Sequence, residues 1–141
     1  MIQRVQTVYL LVAALLLGFF LGFVDLWLAV AGDAFGWLGA VVYGLGGLTA
    51  AVALVAVFLY KQRERQAKVI LAAQWLDLAL VLVLAAALGY LSFRTDADLT
   101  AAGAVGIAVL LMPVLAYVAL RQARLGVQKD IDLVRSMDRL R

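Results

Sequence analysis

Four long stretches of this chain contain no charged residue, and that pattern limits the possible folds more than any other feature. The uncharged stretches are residues 5–24, 34–60, 78–93 and 99–120. Of the 141 residues 67% are hydrophobic, whereas a soluble domain has about 45–50%. A chain of this size buries only about 70% of its surface on folding. The apolar residues therefore cannot all lie inside a small soluble domain, and the sequence predicts a multi-span membrane protein.

Each uncharged stretch, with its flanking residues, is long enough to form a membrane-spanning helix. A helix crosses the hydrocarbon core, which is roughly 30 Å thick, with about 20 apolar residues. We therefore predict an all-α membrane protein in which four transmembrane helices form an antiparallel bundle. The spans are expected at about residues 7–30, 36–60, 69–93 and 99–120. Residues 1–120 then form a transmembrane domain, and residues 121–141 form a cytoplasmic tail.

The basic residues predict the orientation of these spans. With four spans, eleven of the twelve Lys and Arg residues fall on the side that carries both termini, and only Arg94 falls on the other. Loops rich in Lys and Arg stay in the cytoplasm. We expect a multi-pass protein with both termini cytoplasmic.

The tail is predicted to contain a short amphipathic helix. Val127, Ile131 and Val134 lie on one face at helical spacing, which is typical of a helix with one apolar side. A surface-lying extension of the fourth span and a docking helix for a partner both fit this pattern.

Asp77 interrupts the third span and is the main candidate for an intramembrane polar site. Gln74 lies three residues earlier on the same helical face, and Thr49 on the second span is predicted at a similar depth. An ionisable residue within a membrane span suggests a functional site. Its possible roles are proton carrier, ion ligand or anchor for a partner helix. The alternative is a structural carboxyl group that is neutral or hydrogen-bonded within the bundle.

Composition excludes several classes of site. The chain has no Cys and no His, which removes His- or Cys-based zinc and haem sites and the common nucleophilic triads. We expect no enzyme activity, no cofactor and no bound metal. The basic residues flank apolar spans, so bilayer orientation explains them better than nucleic-acid binding does.

Three short segments resemble a known family. They are MIQRVQTVYL at residues 1–10, FLYK at 58–61 and VRSMDRLR at 134–141. The chain resembles domain of unknown function family 4293, whose members are short four-span bacterial inner-membrane proteins. The resemblance implies a bacterial inner-membrane location and transfers no catalytic residue.

The same resemblance suggests a cytoplasmic motif formed by both ends of the chain. The motif comprises Gln3, Arg4, Arg135, Asp138 and Arg139. Pairing between the N-terminus and the tail, with Arg4 and Asp138 as candidates, is a hypothesis.

These features favour a non-enzymatic structural or accessory subunit of a membrane assembly. The expected partners are the lipid bilayer and either further copies of the chain or other membrane-protein subunits. The alternative is a small proton- or solute-coupled transporter that uses Asp77. A lipid-modifying membrane enzyme is the least favoured hypothesis, because deep polar residues are scarce.

Overall fold

The computed structural model describes residues 2–31, 36–94 and 99–139, apart from the side chains of some residues near the helix ends. This part of the chain forms four α-helices and contains no strand. They are α1 (Ile2–Ala31), α2 (Leu38–Phe58), α3 (Arg63–Arg94) and α4 (Leu99–Arg139). Each contains a stretch long and apolar enough to cross a membrane. The prediction of a four-helix, all-α protein is confirmed.

The helices pack in a closed ring. Each packs against its neighbours in the chain, and α1 also packs on α4, in the most extensive contact between any two helices of the described part. On the interface of α1 with α2, Leu28 lies over Gly39 and Leu21 lies over Gly46. Each helix therefore has one face that points into the bundle.

The inward faces follow a regular spacing of three and four residues. On α3 the buried positions at this spacing are Gln66, Ile70, Ala73, Asp77, Leu80, Leu84 and Ala87. On α1 they are Gln6, Leu10, Ala13, Leu17, Phe20 and Val24. On α4 they include Ala116, Leu120, Ala123, Val127 and Asp130. We call each such row an inward seam. This spacing is typical of helices that cross at a small angle, as in coiled coils and four-helix bundles.

The outward faces are as apolar as the seams. Large apolar side chains are exposed on every helix, including Phe19 on α1, Phe58 on α2, Leu82 on α3 and Leu115 on α4. Monomeric soluble proteins rarely expose contiguous apolar surface on this scale. The exterior suggests a multi-pass membrane protein.

The helix predicted in the tail is the last part of α4. α4 continues without a break through residue 120 and ends at Arg139, which gives it a length of about 60 Å at 1.5 Å per residue. Ala123, Val127 and Asp130 are buried, so packing against the bundle holds the helix beyond the predicted boundary. The division into a transmembrane domain and a tail at that point stays a prediction.

A buried glutamine fastens the turn between α2 and α3. Gln66 Nε2 donates a hydrogen bond of 3.0 Å to the carbonyl oxygen of Ala56. The same carbonyl also accepts the backbone N–H of Leu59 at 3.3 Å. Gln66 therefore adds a second hydrogen bond to it and links the end of α2 to the first turn of α3.

Gly46 allows α1 and α2 to approach closely, and its replacement by Leu should destabilise the fold. A Cβ atom at Gly46 would lie 2.9 Å from Leu21 Cδ2 and 3.4 Å from Phe20 Cε1. Overpacking of this kind costs about 1–3 kcal/mol. We expect Gly46→Leu to lower the free energy of unfolding by that amount, measured by denaturation of the purified protein in detergent.

Gly44 provides the matched control. It is exposed on the same helix, and a Cβ atom there would meet nothing within 4 Å. Gly44→Leu should leave stability unchanged or slightly raised, and equal losses in the two variants would contradict the prediction.

Candidate functional site

Apart from Gln66 at the turn between α2 and α3, the polar side chains on the described inward seams lie at two places. One is the deep position of Asp77 on α3, and the other is the end of the bundle where the start of α1 meets the end of α4. In apolar helices, polar residues usually face the bundle interior. These two places are the candidate sites.

Asp77 is completely buried. Its exposed fraction is 0%, and neither carboxylate oxygen has a hydrogen-bond partner in the part of the chain that the structure describes. Ala73 and Leu80 precede and follow it on the same seam. An unpaired polar group in such surroundings is costly. Asp77 therefore adds no visible stabilising contact to the described bundle.

Thr49 is buried but does not bond to Asp77. Its hydroxyl donates a hydrogen bond of 2.7 Å to the carbonyl oxygen of Leu45, one turn earlier on α2. A Thr hydroxyl that bonds back to its own helix is already satisfied. Thr49 is therefore buried in the bundle, and it does not join a polar cluster with Asp77.

Gln74 lies between α3 and α4 and contacts Arg124 of α4. It is 6% exposed, and its Oε1 accepts a long hydrogen bond of 3.4 Å from Nη1 of Arg124. Gln74 and Arg124 also line a cleft of about 420 Å³ between these two helices, together with Tyr117 and Arg121. The predicted group of Asp77, Gln74 and Thr49 is thus divided, and each member has different surroundings.

The two ends of the chain meet through Gln6 and Asp130. Gln6 Nε2 donates a hydrogen bond of 2.9 Å to Oδ2 of Asp130, and both side chains are buried. Gly126 leaves the space that Gln6 needs, because a Cβ atom there would lie 2.8 Å from Gln6 Cγ. This contact joins α1 to α4 at the end of the bundle.

This pairing was not predicted from the sequence. The predicted contact between the two ends joins Arg4 and Asp138, and the side chains of Gln3, Arg4, Asp138 and Arg139 lie outside the described residues. Both residues continue the inward seams of their helices at the regular spacing, and that spacing is the sequence feature that indicates them. Gln6 is four residues before Leu10, and Asp130 is three residues after Val127.

Arg135 from the predicted cytoplasmic motif contacts α3. Its Nη2 lies 3.1 Å from Oε1 of Glu64, and both side chains are exposed. Exposed ion pairs of this kind contribute about 0–1 kcal/mol. Arg135 therefore links α4 to the start of α3, and the link is weak.

The described residues offer no arrangement for metal chemistry. Within them, no three Asp, Glu, His or Cys side chains are grouped so that they could hold a metal ion. Asp77 by itself provides a single buried carboxyl group. Chemically, that group can gain or lose a proton or bond to a polar partner.

Comparison with known families agrees with the resemblance found in the sequence. Residues 38–140 match the family described as Domain of unknown function (DUF4293). The chain belongs to this family. The DUF4293 match includes the FLYK segment and most of VRSMDRLR, whereas the segment at residues 1–10 precedes it. No curated protein and no solved structure matches the chain.

A double-mutant cycle should detect the contact between Gln6 and Asp130. Removal of one partner leaves the other buried without its hydrogen bond, which costs about 1–3 kcal/mol. Gln6→Leu and Asp130→Leu should each lower the free energy of unfolding by about that amount. The double variant should lose less than the sum, with a coupling of about 1 kcal/mol.

The exposed pair of Glu64 and Arg135 serves as the control cycle. Its coupling should be below about 0.5 kcal/mol, because solvent screens it. Strictly additive losses at Gln6 and Asp130 would show that the hydrogen bond contributes nothing to stability.

Proposed function

We propose that this DUF4293 protein is a multi-pass protein of the bacterial inner membrane, with both termini in the cytoplasm. The apolar exterior of the four helices supports insertion in a bilayer. The bias of Lys and Arg toward one side supports the orientation. The order of contacts supports an antiparallel bundle, since Leu28, Leu21 and Gln6 of α1 face progressively later residues of the neighbouring helices.

Its proposed role is that of a non-enzymatic structural or accessory subunit of a membrane assembly. The observation that carries this role is an apolar patch near the end of α4. The patch comprises Leu133, Val134 and Met137, which are 49%, 46% and 64% exposed. We call these three residues the terminal patch.

The terminal patch continues the inward seam of α4 past Asp130. Asp130 is the final seam residue that is buried, and it bonds to Gln6 near the start of α1. At helical spacing, Val134 and Met137 follow Asp130 on the same face. In the proposed orientation the terminal patch lies on the cytoplasmic side, where contact of apolar side chains with water is unfavourable. A second subunit of the assembly would cover it.

Charge substitutions in the terminal patch test this role. Full burial of one such side chain contributes about 1.5–3 kcal/mol, so the double variant Val134→Glu and Met137→Glu should weaken the complex at least about tenfold. The measurement is extraction from native membranes into nanodiscs, followed by particle mass and mass spectrometry of the bound proteins. The wild type should carry a stoichiometric partner or form a defined oligomer, and the variant should lose it.

Ser136→Glu is the matched control. Ser136 lies beside Met137, is exposed, and hydrogen-bonds to the carbonyl oxygen of Leu133 within its own helix. At 3.6 residues per turn it lies about 100° from Met137 and about 160° from Val134, the two positions that receive the charges, so the control should keep the partner. A wild-type monomer without any partner would overturn the proposed role.

Asp77 supports a second candidate function, a small proton- or solute-coupled transporter. The supporting observation is its unpartnered carboxyl group at the centre of an apolar seam. Intramembrane carboxyl groups commonly mark proton relays. This candidate is weaker, because no other acidic residue lies on the buried seam of α3.

The transporter candidate predicts that Asp77→Asn abolishes flux and leaves folding intact. Asn keeps the shape of the side chain and cannot carry a proton. The measurement is proton flux into proteoliposomes, followed with a pH-sensitive dye, together with thermal unfolding of both proteins. Absence of flux in the wild type, or equal flux in the variant, would exclude the transporter.

A further inference from the structure

Two adjoining clefts run along the groove between α3 and α4. The first has a volume of about 420 Å³ and the second about 550 Å³, and they share Leu71, Arg124 and Gln128. We call the first the arginine cleft. It belongs neither to the terminal patch nor to the surroundings of Asp77.

The arginine cleft carries two cations and no acid. Its described lining is Leu71, Gln74, Trp75, Leu78, Tyr117, Arg121, Arg124, Leu125 and Gln128. No carboxylate of the described residues lies within ion-pair distance of either arginine. The contact from Arg124 to Gln74 uses one guanidinium N–H group, and the other donors of Arg124 and all those of Arg121 stay available. Arginine donors arranged as a planar fork match the oxygens of a phosphate.

The second cleft is less suited to an anion. Its lining includes Glu64 and Asp132 as well as Lys68 and Arg135, and Glu64 is already paired with Arg135. With the shared Arg124, the second cleft has three cations beside these two carboxylates. The arginine cleft has no carboxylate in its described lining and therefore suits an anionic ligand better.

The other side of the arginine cleft is apolar. Leu78, Leu125 and Trp75 line it, and Trp75 is 65% exposed on the outside of the bundle. The apolar wall and the two arginines lie side by side. The cleft therefore fits a molecule with an anionic headgroup and a hydrocarbon chain. Trp is also favoured at the level of the lipid headgroups.

The position along the helices agrees with this chemistry. Arg121 directly follows the uncharged stretch that ends at Leu120, and Lys68 directly precedes the predicted third span. In the proposed membrane orientation, on which this inference rests, the cleft lies at the cytoplasmic headgroup level. Basic pockets between helices at that level bind anionic lipid headgroups.

We propose that the arginine cleft binds one anionic glycerophospholipid, with its phosphate between Arg121 and Arg124 and its acyl chain along Trp75 and Leu78. Gln74 holds Arg124 at the edge of the bundle and so positions one of the two phosphate donors.

The test uses the full chain purified in a neutral detergent and titrated with phosphatidylglycerol, phosphatidylcholine or inorganic phosphate. Phosphatidylglycerol should raise Tm and remain bound in native mass spectrometry, because its net charge completes the ion pairs. Phosphatidylcholine with the same acyl chains should not. An equal rise with inorganic phosphate would assign the cleft to a free anion, and equal effects of the two lipids would overturn the charged site.

Paired variants with the same loss of charge identify the site. Arg121→Gln with Arg124→Gln should weaken phosphatidylglycerol binding by about tenfold or more, because each basic residue near the headgroups contributes to the attraction. Arg63→Gln with Arg65→Gln removes two basic residues at the start of α3 that line neither cleft, and binding should persist. Equal weakening in both pairs would show a general charge effect and overturn the proposal.

Two further measurements keep the test decisive. Arg121→Gln alone changes an exposed side chain, and it should weaken binding even if the double variant does not fold. Retention of the chain in alkali-washed membranes is measured in parallel. Retention without lipid binding rejects the cleft and leaves the membrane location standing, whereas release from the membranes rejects that location itself.

Discussion

The contact between α1 and α4 closes the ring of four helices. The other three interfaces join helices that follow one another in the chain, whereas this one joins the first helix to the last. Between apolar helices in lipid there is little hydrophobic driving force, so close packing and hydrogen bonds supply the association. The seam of small and branched side chains on α1 and α4, which ends at Gln6 and Asp130, provides both.

Much of the fold follows from the sequence, because its strongest signal is the length of the uncharged stretches. These stretches correctly predicted four helices. α3 begins at Arg63, so most of the charged segment between the predicted second and third spans is helical. The inward seams could not be predicted from hydropathy, because exposed positions such as Phe19 are as apolar as buried ones such as Phe20. The boundary predicted at residue 120 follows the charges after Leu120, whereas α4 itself continues, and Ala123 and Val127 extend its seam.

The position of Asp77 was predictable, whereas its contacts and the pairing of Gln6 with Asp130 were not. Asp77 was expected deep in the third span, and it is fully buried. Its surroundings depend on how α3 is rotated against its neighbours, and one sequence does not determine that rotation. The pairing of Gln6 with Asp130 was not predicted because both residues lie close to the charged ends of their helices, where polar residues usually face water.

The unbroken course of α4 has a mechanical consequence. Pro113 lies inside α4, and a proline within a helix removes a backbone hydrogen bond and favours a kink. The helical segment after Pro113 carries Arg121, Arg124 and Met137. A tilt of a few degrees at Arg121 moves Met137 sideways by about an ångström, because the helix between them is roughly 24 Å long. In the proposed membrane protein, a movement at the arginine cleft therefore displaces the terminal patch.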